Sequence, residues 1–212
     1  MTKASPPPPP MTPSMSAFTF LRSASSIAAK ISGLIVLAMA GLISADIAVR
    51  GFFNVTLFKG GVGELSGYAL AIVTVWGSAL TLLNRAHIRI DAALPLLSRP
   101  VAAALDIMAL TSFTVMSGIL VWAGWTTFSR TFALNAHSMT PLAVPLTIPQ
   151  GLWMAGLVFL FVTSTSLLAV ALSLLMRGDF RAINRLAGTR TVAEEIEEAQ
   201  TVSIAQPGKS DA

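Results

Sequence analysis

The residue types that most often do chemistry in proteins are scarce in this sequence. It contains only two histidines, His87 and His137, and no cysteine, so thiolate nucleophiles and thiolate metal sites are excluded. The densest polar cluster is the run RAHIRID, which ends at Asp91, four residues after His87. In a helix, this spacing would place both side chains on one face. Because no nucleophile or metal-binding motif accompanies them, the sequence predicts no enzyme, no cofactor and no metal site.

Three further charged residues lie within or beside long apolar stretches: Lys30, Asp46 and Asp106. Ionisable side chains inside a membrane span are functional candidates by default. All three fall near the ends of the predicted spans, and Asp46 precedes Arg50 by the four residues of a same-face helical ion pair. We therefore favour a structural role for them. The alternative is a self-contained four-span channel or transporter with Asp46 and Asp106 in its ion pathway.

The elements that position these residues are predicted to be membrane helices. Of the 212 residues, 54% are hydrophobic and 11% are charged, whereas about a quarter of the residues in a soluble domain are charged. About 20 apolar residues cross the hydrocarbon core of a bilayer. We predict an all-α integral membrane protein whose four transmembrane helices are joined by short interfacial segments. The predicted spans are 27–49, 64–84, 101–129 and 150–176.

The predicted domain organisation is a single membrane domain between two polar ends. Residues 1–22 are rich in Pro, Ser and Thr, and such a segment cannot bury a core, so we predict a disordered cytoplasmic lead. Residues 23–186 form the four-helix membrane domain. Residues 187–212 are predicted to be a flexible cytoplasmic tail.

The lysine and arginine residues predict the orientation of the chain, because they collect in cytoplasmic segments. If both termini are cytoplasmic, the opposite side holds only Arg50, Lys59 and Arg130. This distribution accounts for the net charge of +4 without a nucleic-acid partner. His87 and His137 then lie on opposite sides of the membrane, so one chain cannot bring them to the same metal ion or haem.

The second predicted span has one narrow face of small residues that recur every three or four positions. In lipid, apolar burial does not drive helices together, and small side chains let two backbones approach closely. We predict that this face packs against another helix, either in the same chain or in a partner. We call it the small-residue face, and it comprises Gly63, Gly67, Ala71, Thr74, Ser78 and Thr81.

A basic, amphipathic segment follows the fourth span. Arg177, Arg181 and Arg185 are spaced four apart, with apolar residues between them. This pattern is typical of a helix end on anionic lipid headgroups, where each basic residue contributes about 1 kcal/mol. We predict that these three arginines contact membrane lipids.

The chain resembles the small permease subunit of tripartite ATP-independent periplasmic (TRAP) transporters, the DctQ-like family. Glu64-Leu65 opens the second span as in the family, and Trp76, Gly77 and Ala79 follow within it. The residues from His87 to Asp91 supply the family's His, β-branched residue and Asp at matching spacing. The resemblance covers about residues 20–185, and Asn84 and Ala86 depart from residues that are often basic or Gly there.

This resemblance implies a scaffold role in a bacterial inner-membrane uptake system. A large permease subunit would move the substrate, commonly an organic acid, by symport with an ion. A periplasmic substrate-binding protein would deliver that substrate. Glu64 would anchor the outer end of the second span, and His87 and Asp91 would shape the cytoplasmic turn after it. A membrane enzyme or haem protein is a third, less favoured hypothesis.

Overall fold

The computed structural model describes residues 13–56, 61–84 and 98–187, and almost all of them are helical. Among these residues, the β structure is a single bridge between His137 and Pro145. The helices are α1 (Pro13–Phe53), α2 (Gly61–Leu83), α3 (Arg99–Ala133), α4 (Thr147–Met176) and α5 (Phe180–Ala187).

Four of these helices are long and apolar enough to cross a membrane, which confirms the predicted all-α membrane fold. Helices persist in lipid because all their backbone groups are hydrogen-bonded within the segment. The helices extend beyond most of the predicted span ends. α1, for example, begins at Pro13, inside the segment predicted to be disordered, since proline is tolerated in the first turn of a helix. Within the described residues the spans are Phe20–Phe53, Gly61–Leu83, Pro100–Ala133 and Thr147–Met176.

The chain divides into two compact units. Unit 1 comprises Met1–Leu80 and Gly124–Leu160, and unit 2 comprises Thr81–Ala123 and Phe161–Ala212. In unit 2, α3 and α4 are in contact through polar side chains, with Ser117 Oγ 3.2 Å from Ser164 Oγ. Both hydroxyls also lie within hydrogen-bonding distance of carbonyls on their own helices, so a buried polar pair is satisfied within the span.

In unit 1, α2 packs closely against the first half of α4 at Gly156. A methyl group at this position would lie only 2.9 Å from Cδ1 and Nε1 of Trp76. The Trp76 ring also stacks on Phe159, with 5.7 Å between the ring centroids. Gly156 therefore lets the two helices approach until the indole ring lies on the α4 backbone.

The loop between α3 and α4 folds back on itself. Ser138 N donates to Val144 O at 3.0 Å, and Leu146 N donates to Ala136 O at 3.0 Å. Asn135 and Ala143 adopt positive φ angles of 46° and 45° at its turns. We call residues 134–146 the α3–α4 loop. Its two prolines, Pro141 and Pro145, keep it irregular.

Candidate functional site

Glu64 lies in the first turn of α2 and connects this helix to the α3–α4 loop. Its Oε1 accepts a hydrogen bond from Tyr68 Oη at 2.5 Å, one turn along the same helix. Its Oε2 accepts a hydrogen bond from Thr140 Oγ1, and Thr140 Oγ1 is 2.9 Å from Ser138 Oγ. We call these four residues the Glu64 cluster. A carboxylate at this position is also stabilised by the helix N-terminus.

The Glu64 cluster joins two structural elements, the first turn of α2 and the α3–α4 loop. The Glu64 carboxylate accepts hydrogen bonds from two hydroxyls, which fix its position. The nearby His137 is engaged with its own loop, since Nδ1 is 2.8 Å from Asn135 O. Within 13–56, 61–84 and 98–187, no group of three or more His, Cys, Asp or Glu residues could hold a metal ion.

Glu64→Ala is expected to loosen the α3–α4 loop, because Tyr68 and Thr140 both lose their charged acceptor. Hydrogen–deuterium exchange of the amides in 134–146 should increase. Glu64→Gln is the matched control, since it keeps one acceptor oxygen and should give an intermediate increase. Unchanged exchange in Glu64→Ala would show that the cluster does not hold the loop.

Trp76 ties α2 to the start of α4. Its Nε1 donates a hydrogen bond to Leu152 O at 3.1 Å, which satisfies the indole N–H inside an apolar span. The links Glu64–Thr140 and Trp76–Leu152 have the same sequence separation of 76 residues. Segment 140–152 therefore runs alongside α2 in the same direction. It follows α2 from Glu64 to Trp76, a length of roughly 18 Å at 1.5 Å per helical residue.

Most of the small-residue face is exposed in this chain. Its residues are exposed except for Ser78, which is half-buried. No neighbouring atom of the described residues lies within 4 Å of where a Cβ would stand at Gly63 or Gly67, and the same holds for Gly77. The buried residues of α2 belong to other positions, such as Val75 and Ala79. The face that the sequence predicts for packing therefore remains open to lipid or to a partner.

The predicted ion pair on α1 is confirmed. Arg50 Nη2 lies 2.6 Å from Asp46 Oδ2, and the Asp46 side chain is 3% exposed while that of Arg50 is 60% exposed. A buried carboxylate requires a countercharge or hydrogen bonds. Arg50 supplies that charge from the surface. Asp106, in unit 2, is also buried, and it too has an interaction partner.

Arg50→Gln is expected to destabilise α1 more than Asp46→Asn, because it leaves a buried carboxylate without its countercharge. The cost should be about 2 kcal/mol, the scale of a hydrogen bond to a charged group. Thermal unfolding in detergent measures the difference. Equal stability of Arg50→Gln and the wild type would show that other contacts neutralise Asp46.

His87 and Asp91 lie outside the described residues. Arg177 is exposed in the turn after α4, where Gly178, with φ 68°, ends the helix.

The amphipathic segment forms α5, which carries two of the predicted arginines. Asp179 Oδ1 caps its start by accepting a hydrogen bond from Ala182 N at 3.0 Å. Arg181 and Arg185 lie one turn apart on it, and Ile183 between them is fully buried in unit 2. The segment is thus a helix held to the protein by its apolar side, and contact with lipid headgroups stays a prediction.

Sequence reasoning missed Gly156, Leu152 and Thr140, which are the partners of α2. Nothing in the α2 sequence identifies them, because each lies about 76 or more residues away along the chain. A glycine inside an otherwise bulky apolar span is a weak signal of close helix packing, and Gly156 shows that signal.

Four apolar helices of spanning length define the class of this chain: it is a multi-pass α-helical membrane protein. It belongs to the family described as "Tripartite ATP-independent periplasmic transporters, DctQ component", which matches residues 39–174, more than half of the chain. Comparison with curated proteins and with solved structures gave no match. The resemblance seen in the sequence is thereby confirmed. The chain is a component of a tripartite transporter, in a family of transporter components.

Proposed function

We propose that this chain is a non-catalytic scaffold subunit that binds the large permease of a TRAP transporter in a bacterial inner membrane. Both termini are cytoplasmic in this proposal. The large permease moves an organic acid by ion-gradient-driven symport, and a periplasmic binding protein delivers the acid. The membership of the DctQ family carries the proposal.

The exposed small-residue face supports a stable contact with a helix of another membrane subunit. A helix whose small residues point away from its own chain presents backbone that another membrane helix can approach closely. The face extends along most of α2, from Gly63 to Thr81. We therefore assign this face to the contact with the large permease, and we assign Arg177, Arg181 and Arg185 to contact with anionic lipid headgroups.

The opposing candidate is the self-contained channel or transporter, and it rests on the burial of Asp46 and Asp106 within spans. The ion pair of Asp46 with Arg50 disfavours it, because a paired carboxylate is neutralised locally.

Reconstitution separates the two candidates. The purified chain alone in liposomes should show no substrate or ion flux, and the chain co-expressed with a large permease should restore uptake when the binding protein and an ion gradient are supplied. The permease should co-purify with the chain at a fixed ratio. Flux through the chain alone, lost in Asp46→Asn, would establish the channel and refute the scaffold.

A further inference from the structure

The α3–α4 loop is held beside the first turn of α2 by two contacts within unit 1. Thr140 Oγ1 donates its hydrogen bond to Glu64 Oε2. Leu142 packs so closely on Gly61 that a methyl group at Gly61 would overlap the leucine side chain. Both contacts are made to the first turn of α2, which begins at Gly61. The loop is therefore fixed at the level of this helix end.

The length of α2 relates that level to the depth of a bilayer. The helix has 23 residues, which corresponds to roughly 34 Å at 1.5 Å per residue. The hydrocarbon core of a bilayer is about 30 Å thick. A helix of this length that crosses the core has its two ends close to the boundaries of the core. The loop beside the first turn of α2 is therefore placed where hydrocarbon meets headgroups.

Several side chains near this level are apolar and exposed. Met139 is fully exposed, and Leu134 is 77% exposed. The sequence has no Asp, Glu, Lys or Arg between Arg130 and Arg177, so the loop holds no side chain of these types that would favour bulk water. Exposed apolar side chains that lie together mark a contact with a membrane or with a protein partner.

An aromatic face on the last turns of α3 leads into the loop. The ring centroids of Trp125 and Phe128 are 6.2 Å apart, and those of Phe128 and Phe132 are 6.3 Å apart. Trp125 and Phe132 are exposed, and tryptophan is enriched at membrane–water interfaces. Leu134 follows Phe132 by two residues. The exposed apolar side chains of the loop therefore continue the aromatic face of a membrane-spanning helix, and this continuity favours lipid as their surroundings.

The backbone of the loop is suited to a partly dry environment. Besides the two hydrogen bonds across the loop, Ala143 N donates to Thr140 O at 3.0 Å and Ala136 N donates to Thr131 O at 3.1 Å. Irregular backbone exposed to lipid does not occur within the hydrocarbon region, because unpaired groups find no water there. At the interface the remaining groups can still reach water. The loop therefore fits the headgroup layer and not the core.

We propose that the α3–α4 loop inserts Leu134 and Met139 into the boundary between headgroups and acyl chains, while Thr140 and Leu142 hold the loop on α2. The bilayer interface is thus the partner of this apolar surface. Because the loop has no lysine or arginine, the insertion depends on apolar contact and does not require anionic lipid. The surface belongs to unit 1 and does not depend on the proposed transport function.

Single spin labels measure the depth of the loop. The chain has no cysteine, so Met139→Cys and Leu134→Cys each give one thiol for a nitroxide label. The full chain is reconstituted in phosphatidylcholine bilayers. Power-saturation electron paramagnetic resonance then compares the accessibility of the label to oxygen, which concentrates in lipid, and to the nickel complex Ni-EDDA, which stays in water. Oxygen accessibility should exceed Ni-EDDA accessibility at both positions.

Met116→Cys is the matched control. It is the same substitution at an exposed position near the middle of α3, where the label reports the hydrocarbon core. The ratio of oxygen to Ni-EDDA accessibility should be several-fold higher there than at Met139→Cys. Addition of phosphatidylglycerol should leave the ratio at Met139→Cys unchanged. If Met139→Cys does not fold, Leu134→Cys measures the same surface.

Four outcomes would overturn the proposal. Higher accessibility to Ni-EDDA than to oxygen at both loop positions would place the loop in water. Low accessibility to both reagents, with dipolar broadening between labels, would show that a second copy of the chain covers the surface. An excess of oxygen accessibility that requires phosphatidylglycerol would show that headgroup charge drives the contact. Loss of oxygen accessibility when the large permease is reconstituted with the chain would assign the surface to the permease.

Discussion

Gly156→Ala is expected to destabilise unit 1 markedly. The new methyl group would overlap Val75 and lie 2.9 Å from the Trp76 ring, and a real Cβ does not approach other atoms so closely. Either α2 and α4 separate or Trp76 gives up its hydrogen bond to Leu152 O. Overpacking of this kind costs about 1–3 kcal/mol.

The matched control lies on the same helix. At Gly151 the nearest atom to a new methyl would be Phe128 Cε2 at 3.5 Å, an ordinary van der Waals contact. Gly151→Ala should therefore be neutral, or slightly stabilising, because alanine is the better helix former. Thermal unfolding in detergent, followed by tryptophan fluorescence, should show a drop of several degrees for Gly156→Ala alone. Equal midpoints for the two variants would refute the close packing of α2 on α4.

Gly67→Leu is expected to weaken the association with the large permease by roughly fivefold or more. The position lies within the small-residue face, and its surroundings within the chain are open, so the leucine does not disturb the subunit itself. In a close helix–helix contact, however, it keeps the two backbones apart. A cost of about 1–3 kcal/mol from such overpacking corresponds to roughly a 5- to 150-fold change in affinity.

Gly41→Leu on α1 is the control for Gly67→Leu. It is the same substitution in a membrane helix, and no neighbouring atom of the described residues lies within 4 Å there either. Co-purification of the tagged chain with the permease should fall for Gly67→Leu and persist for Gly41→Leu. Loss in both would indicate a general effect on membrane insertion. Retention in both would move the interface away from the small-residue face, while failure of the wild type to co-purify would instead count against the proposed function.

The sequence predicted the fold because hydropathy and length are sufficient to define membrane helices. It also predicted the Asp46–Arg50 pair, since the four-residue spacing of a helix determines that contact locally. Glu64 was identified as an anchor, but its partner Thr140 was not, because the loop turns that bring them together depend on positive φ angles at Asn135 and Ala143. Long-range partners are a property of packing, and helical periodicity does not encode them.

The small-residue face is a second case in which the sequence identified a surface but not its partner. Its spacing identifies one side of α2. The same spacing would serve for packing against a helix of the same chain or against a helix of a partner. The structure shows that Val75, Ala79 and Leu82 are buried instead, so the chain's own helices pack on a different side of α2. The pattern predicted where a close contact is possible, and among the described residues α4 packs on another side of α2.

The hydrogen bonds from α2, Glu64 to Thr140 and Trp76 to Leu152, also determine when α2 can complete its packing during synthesis. The hydrogen-bond partners of Glu64 and Trp76 are each synthesised 76 residues later. At about 5–20 residues per second, this delay is roughly 4–15 s. During that interval α1 and α2 are already made, while the Glu64 carboxylate and the indole N–H still lack their distant partners. α1 and α2 are therefore synthesised before segment 140–152, which supplies both partners. A nascent chain stopped before Thr140 should expose Glu64 to the insertion machinery.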